Sequence, residues 1–389
     1  MTPEIKQSKY VCVLGAGPSG LVAARELRRE GHSVVVLEQN HDVGGQWLYD
    51  PRVEEEDALG RVAPLKVHSS AYASLRVMSP RLSMGFTDFP FLARKGRDMR
   101  AFPGHREIYL YLRDFCDWFG LRELIRFNTR AENVAMVGSG ESGNNIKWVV
   151  RSKEKKCEKV MEESFDAVVV ATGHYSQPSM PNIKGMDVWT KKQIHSHVYR
   201  VPEPYCDEID SLCEDGRVLF VDGSSITADS IIYCTGYSYS FPFLDTEGIV
   251  VVDDNRVGPL YEHTFPPLLA PSLSFVGIPK KILGFPFFES QAKWIAQLLS
   301  GKRTLPSPDD MMKAIKDFYR TKEIKGIPKR KTHEIASFEY CDMYGDNCGF
   351  PHLEEWKKEI CLLALKNSLM NLETYRDQWD DDEWLRMAY

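Results

Sequence analysis

Gly15-Ala16-Gly17-Pro18-Ser19-Gly20 fits the pattern G-x-G-x-x-G, and an acid, Glu38, closes the apolar run that follows. The chemistry these residue types support is the capture of a dinucleotide. Gly15 allows a tight turn, Gly17 lets backbone approach a pyrophosphate, and Gly20 lets a helix pack on a strand; a helix N-terminus beyond them offers unpaired N–H groups and partial positive charge. Glu38 would accept hydrogen bonds from ribose hydroxyls, which favours FAD or NAD over a 2′-phosphorylated NADP. A bare hexapeptide is also compatible with a Gly-rich turn that holds nothing, so the surrounding elements decide.

Those elements are in order. Tyr10 to Leu14 reads as a strand, Leu21 to Arg28 has helical spacing up to Gly31, and Ser33 to Leu37 is an unbroken β-branched run suited to a strand covered on both faces. Gly44-Gly45-Gln46-Trp47 ends this unit, and Gln46 and Trp47 join the cofactor-binding candidates Gly15, Ala16, Gly17, Pro18, Ser19, Gly20 and Glu38. Ala171-Thr172-Gly173 and Cys234-Thr235-Gly236 each follow a strand-like run, and small residues there let backbone pass close to a ligand. A second match, Gly138 to Gly143, precedes Asn144, Asn145 and the strand pattern Ile146 to Val150 rather than a helix, so it reads as a hairpin loop and not a nucleotide site.

Further along, Glu107 to Leu121 has one apolar helical face, and Ala167 to Val170, Val218 to Val221, Ile231 to Tyr233 and Leu273 to Val276 read as strands. A helix is expected from about Phe288 to Ser300, with helices around a Pro328 loop from Asp309 onward; Pro202 to Asp215 has little structure of its own. The fold class is α/β: a Rossmann-like, two-dinucleotide FAD domain with a helical tail.

Composition excludes other classes. With 49 Lys plus Arg against 55 Asp plus Glu, a net charge of −6 and no run of like charge, nucleic acid is not an expected partner. No signal peptide and no apolar stretch of membrane-spanning length is visible, and nine cysteines without C-x-x-C suit a reducing compartment, so a soluble, cytoplasmic protein is expected. No metal-ligand pattern such as H-E-x-x-H is present.

The stretches GAGPSGLVAARELRREGHSVVVLE, GGQWLY, VHSSAYASLR, MGFTDFPF, DAVVVATGHYSQPSMP, HSHVYRVPEP, IIYCTGYSYSFPFL, VVDDNRVGPLYEHTFPP, LSFVGIP and ETYRDQWDDD resemble plant flavin-containing monooxygenases of the type that S-oxygenates methylthioalkyl glucosinolates. That resemblance spans nearly the whole chain. It implies that NADPH reduces FAD, that O2 then adds to form a C4a-hydroperoxide, and that a small-molecule thioether takes the distal oxygen to become a sulfoxide, with no side-chain nucleophile and no metal.

Against the resembling family the chain departs in three places. The second Gly-rich fingerprint, which would hold NADPH, is missing: Pro204 to Asp215 runs straight into the strand pattern at Arg217, too short for a βαβ unit. The signature F-x-G-x-x-x-H-x-x-x-[FWY] falls on Trp189 to Tyr199 with Lys191 in place of Gly, so His195 and His197 are expected to have no catalytic role. Met78 stands where the family motif has Asn; either a donor toward the flavin peroxide is lost or Met78 is an apolar filler. The expected division is an FAD-binding domain in two parts, 1–185 and 217–305, an NADPH-domain remnant at 186–216 and a helical region at 306–389. Three activities stay open: an S-oxygenase, a catalytically impaired FAD-binding remnant, and an oxidase that releases hydrogen peroxide.

Overall fold

A computed structural model describes residues 8–53, 56–61, 67–137, 146–201, 217–219, 225–380 and 382–388. Its centre is a parallel five-stranded sheet containing β1 (Tyr10–Leu14), β2 (Ser33–Leu37), β3 (Ile125–Arg126), β7 (Ala167–Val170) and the strand Leu273–Phe275. The spatial order is Leu273–Phe275, β7, β1, β2, β3, and each pair is parallel. The reason is local: β1 and β7 are apolar at every position, and a strand with no polar face is stable only between two layers.

Alternation within β1 assigns those layers. Val11 and Val13 enter the core formed with helices α1 (Pro18–Arg29), α2 (His105–Trp118) and α3 (Gly284–Leu299), whereas Cys12 and Leu14 enter a core with Val134, Trp148 and Phe165. The second core belongs to the antiparallel meander β4 (Thr129–Val137), β5 (Lys147–Glu154) and β6 (Val160–Phe165), extended by the short strand Leu244–Asp245. Val137 pairs with Lys147 in this meander. The hairpin loop expected at Gly138 to Gly143 lies outside the described residues.

α1 is buried along almost its whole length and packs on α3. Arg25, fully buried on α1, pairs with Glu289 of α3, donates to Asp88 Oδ1 at 2.6 Å, and lies 5.1 Å from the ring centres of Phe115 and Phe119. α3 begins at Gly284 rather than near Phe288, because Pro286 is tolerated in a first turn whose N–H groups have no helical partner.

The C-terminal region adds α4 (Pro308–Ile324), α5 (Phe338–Cys348) and α6 (Glu355–Met370). The Tyr344 ring of α5 packs against Phe287 and Trp294 of α3 at centroid distances of 4.8 and 5.0 Å, tilted to the first and edge-on to the second. Lys192–His195 and Ser230–Tyr233 pair in parallel as a separate small sheet. Strand Arg217–Leu219 begins where the returning strand was expected, and the stretch Pro202 to Asp215 lies outside the described residues. Among the described residues no helix is long and apolar enough to cross a membrane.

Candidate dinucleotide site

A crevice opens at the C-terminal ends of the central strands, where the chain order reverses between β2 and β7 on either side of β1. This switch point is where open parallel sheets hold their ligands. Gly15, Gly17, Pro18 and Ser19 form its floor, Glu38 and Gln39 one side, and Ala171 to Gln177 with Gly277 the other.

The three fingerprint glycines differ in what requires them. A Cβ on Gly15 would lie 2.6 Å from the Ala171 carbonyl oxygen, in a backbone already at φ +103°, and one on Gly20 would lie 1.8 Å from the Gly15 carbonyl oxygen. Both are demanded by the fold. A Cβ on Gly17 would meet nothing closer than Gly45 Cα at 3.5 Å, an ordinary contact, and its φ of −75° suits any residue. No protein atom accounts for glycine there, so the cradle fits a group that approaches from the crevice, as a pyrophosphate would at this helix N-terminus.

Glu38 is buried and its carboxylate takes two amides: Ala16 N–H at Oε2 and Asn40 N–H at Oε1, both at 2.7 Å. Burial raises its pKa, and the two N–H donors work in the opposite direction. Two backbone bonds leave further lone pairs on the same oxygens for ribose hydroxyls.

On the opposite side, His174 Nδ1 lies 2.8 Å from the Gly277 carbonyl oxygen. A carbonyl only accepts, so Nδ1 carries the proton and Nε2 is a bare acceptor. Burial, then the charge of Lys280, pushes His174 down to about 4, so the ring is neutral near pH 7. Gly277 is held in turn: its N–H donates to Gln291 Oε1 at 3.0 Å, and Gln291 Nε2 donates to Thr264 Oγ1 at 2.8 Å. Near Glu38, Thr129, Arg130 and Ala131 of β4 line the crevice with His68, whose pKa falls to about 4 through burial and the nearby charges of Lys155 and Arg130.

The expected site residues separate into two groups. Gly15, Gly17, Pro18, Ser19, Glu38 and Gln46 line the crevice, with Ala171, Thr172 and Gly173. Ala16, Gly20 and Trp47 are not on its lining: Ala16 serves Glu38 through its amide, Gly20 sits under the Gly15 carbonyl, and Trp47 packs against the core, its turn meeting α2. Cys234, Thr235 and Gly236 are also off the lining; the Gly236 carbonyl accepts from Ser179 N–H and from His195 Nε2.

His195 and His197 are almost fully buried, His197 donating through Nε2 to the Val67 carbonyl at 3.0 Å, and neither lines the crevice. Met78 is 63% exposed and off the lining, and Tyr375 Oη donates to its carbonyl at 3.4 Å. His174, Gly277 and Gln291 were not singled out from sequence. The available signal was Gly277 itself, a glycine closing a strand as Gly173 does.

A parallel sheet with a dinucleotide crevice at its switch point, framed by a G-x-G-x-x-G turn and an acid on the next strand, defines a dinucleotide-binding flavoprotein fold. The flavin-binding monooxygenase-like family matches residues 8–210 and 206–376. The chain belongs to that family, the flavin-containing monooxygenases. It is 59% identical to flavin-containing monooxygenase FMO GS-OX-like 8 of Arabidopsis thaliana, over 99% of this chain and 96% of that one. The alignment has 442 positions, more than the 389 residues present here.

Among solved structures, an S-allyl-L-cysteine S-oxygenase from Allium sativum superposes with a TM-score of 0.91 at 42% identity, covering 98% of each chain. Tmm from Pelagibacter sp. strain HTCC7211, at 22% identity and a TM-score of 0.77 over 95% of this chain and 93% of that one, shares the fold.

Proposed function

We propose that the crevice binds FAD and that the protein is of the thioether S-oxygenating type, with methylthioalkyl glucosinolates as substrates and sulfoxides as products. The observation that carries the FAD reading is Gly17: it lines the crevice at the α1 N-terminus, and a Cβ there would make only ordinary contacts with Gly45, so no protein atom requires glycine. The S-oxygenation reading is supported by the likeness to the GS-OX-like monooxygenase and to the garlic S-oxygenase. Bound flavin, once reduced by an external two-electron donor, would pass those electrons to O2 and so activate it. The protein's own part is to hold the dinucleotide through Glu38 and the Gly15 to Gly20 turn and to keep water from it.

A second reading concerns reduction. The sequence has no second Gly-rich fingerprint between His197 and Arg217, the family match comes in two pieces that overlap at 206–210, and the alignment with the Arabidopsis relative is longer than this chain. These observations favour an FAD protein that NADPH does not reduce productively.

Purified protein tests the first reading. It should be yellow, and heating should release FAD; a well-folded, colourless protein that takes up no added FAD contradicts it. Chemically reduced protein mixed with air and a methylthioalkyl glucosinolate should then yield the sulfoxide by mass spectrometry, and peroxide without sulfoxide would point to an oxidase instead.

A further inference from the structure

The crevice has two sides that no symmetry relates. Glu38, at the end of β2, offers a carboxylate where one ribose would sit, and the Gly15 to Gly20 turn marks the place of the pyrophosphate. A dinucleotide held at both points must direct its other half across β1, toward the ends of β7 and the Leu273–Phe275 strand. His174 stands there, and it lines the crevice.

The ring of His174 is fixed in one tautomer. Nδ1–H donates to the Gly277 carbonyl, and the Gly277 peptide is itself pinned by Gln291, which is fully buried on α3. Gly277 sits at φ +89°, and a Cβ there would lie 2.7 Å from Ser19 Oγ of α1, so the position is kept as glycine. His174 is 91% buried, and its Nε2 is a buried atom with no hydrogen-bond partner among the described residues. A buried acceptor left without a partner is costly, so such atoms in folded proteins are normally satisfied by something. His197 Nδ1 is also without a partner, but it does not line the crevice.

We propose that His174 Nε2 accepts a hydrogen bond from the flavin half of the bound dinucleotide, from a ribityl hydroxyl or from the N–H of the isoalloxazine ring. This rests on the FAD reading of the crevice. The chemistry selects the donor class: phosphate oxygens only accept, so a bare imidazole nitrogen repels them and belongs beside hydroxyl or N–H. His174 thus serves as a cofactor-binding residue on the side facing Glu38, and Gln291 is a positioning residue that acts through Gly277.

The test compares apoprotein of the wild type, His174→Phe and His174→Gln, with flavin fluorescence as the readout of FAD, FMN and ADP binding. ADP is read by competition with FAD. His174→Phe should bind FAD and FMN about ten-fold more weakly, because the ligand's donor loses its acceptor, and ADP with unchanged affinity. His174→Gln should recover most of the loss, since its Oε1 can accept. Equal FAD affinity in the wild type and a folded His174→Phe overturns the inference while leaving the FAD reading intact; a folded wild type that takes up no FAD overturns the FAD reading itself.

Wild-type protein labelled with 15N-histidine gives a measurement that needs no folded Phe variant, the His174 signal being identified by its absence in His174→Gln. The His174 Nε2 resonance should move on adding FAD or FMN and stay in place on adding ADP. A resonance unmoved by FAD overturns the role of His174, and one moved equally by ADP assigns it to the adenosine half and overturns the proposal as stated.

Discussion

Ala16 N–H donates to Glu38 Oε2 at 2.7 Å, so the acid placed to hold a ribose also holds the turn placed to hold a pyrophosphate. Glu38→Gln keeps the shape but gives the side chain one acceptor oxygen where two amides, Ala16 and Asn40, need one each. The amide nitrogen must then face a backbone donor. The variant should lose about 1–3 kcal/mol of stability in urea denaturation and bind FAD more weakly; unchanged values in both would show that Glu38 ties neither partner.

The fingerprint glycines should separate binding from folding. Gly17→Val should yield folded protein without flavin, because its Cβ meets only ordinary contacts inside the protein and intrudes on the crevice. Gly20→Ala should fail to fold, since its Cβ would lie 1.8 Å from the Gly15 carbonyl oxygen. Circular dichroism together with flavin content distinguishes the two, and a yellow Gly17→Val protein would contradict the account of the cradle.

These glycines illustrate what the sequence makes legible. β1, the turn, α1 and β2 are read correctly because their signals are consecutive: an apolar run, small residues, helical spacing, then a second run closed by Glu38. The other side of the crevice depends on contacts between distant segments. His174 meets Gly277 across more than a hundred residues, and nothing near either residue announces the partner. Met78 shows the converse error: a position lifted from a motif suggested proximity to flavin, and the structure puts the side chain in solvent, with its carbonyl tied to Tyr375. The exposed position fits neither the lost-donor reading nor the filler reading.

Arg25 and Glu289 should be coupled in stability. Glu289 also accepts from Thr87 N–H at 2.8 Å and Thr87 Oγ1 at 2.9 Å, so Glu289→Ala leaves several buried groups without a partner. The expected loss is about 3 kcal/mol, and the double variant Arg25→Met with Glu289→Leu should lose less than the sum of its single changes. Additive losses in chemical denaturation would contradict a direct interaction.

Buried histidines set the acid side of the stability curve. His263 Nδ1 lies 2.8 Å from His333 Nδ1, and the Val257 N–H donates to His333 Nε2 at 3.0 Å, so His333 donates to a neutral His263. Burial depresses His263 to about 3, and His174 and His197 to about 4, from an ordinary value of 6.5. Between these limits the unfolded chain binds protons that the folded chain refuses. Stability should therefore be full above about pH 6.5 and fall as pH drops toward 4, each such histidine adding at most about 1.4 kcal/mol per pH unit. Urea midpoints from pH 7 to 4.5 should decline, and His263→Phe should reduce the slope by about one histidine's share; a flat wild-type profile would rule out the burial account.

On the proposed function the crevice takes up FAD, but NADPH does not reduce it productively. Hydride transfer requires the nicotinamide to be held against the flavin, and positioning of that kind is worth about 7–11 kcal/mol of barrier. The direct measurement is to mix oxidised, flavin-loaded protein with NADPH in the absence of oxygen and follow the flavin absorbance, with dithionite as the control. The flavin should stay oxidised with NADPH over the time in which dithionite bleaches it completely; rapid bleaching by NADPH would mean that a working nicotinamide site survives in this chain.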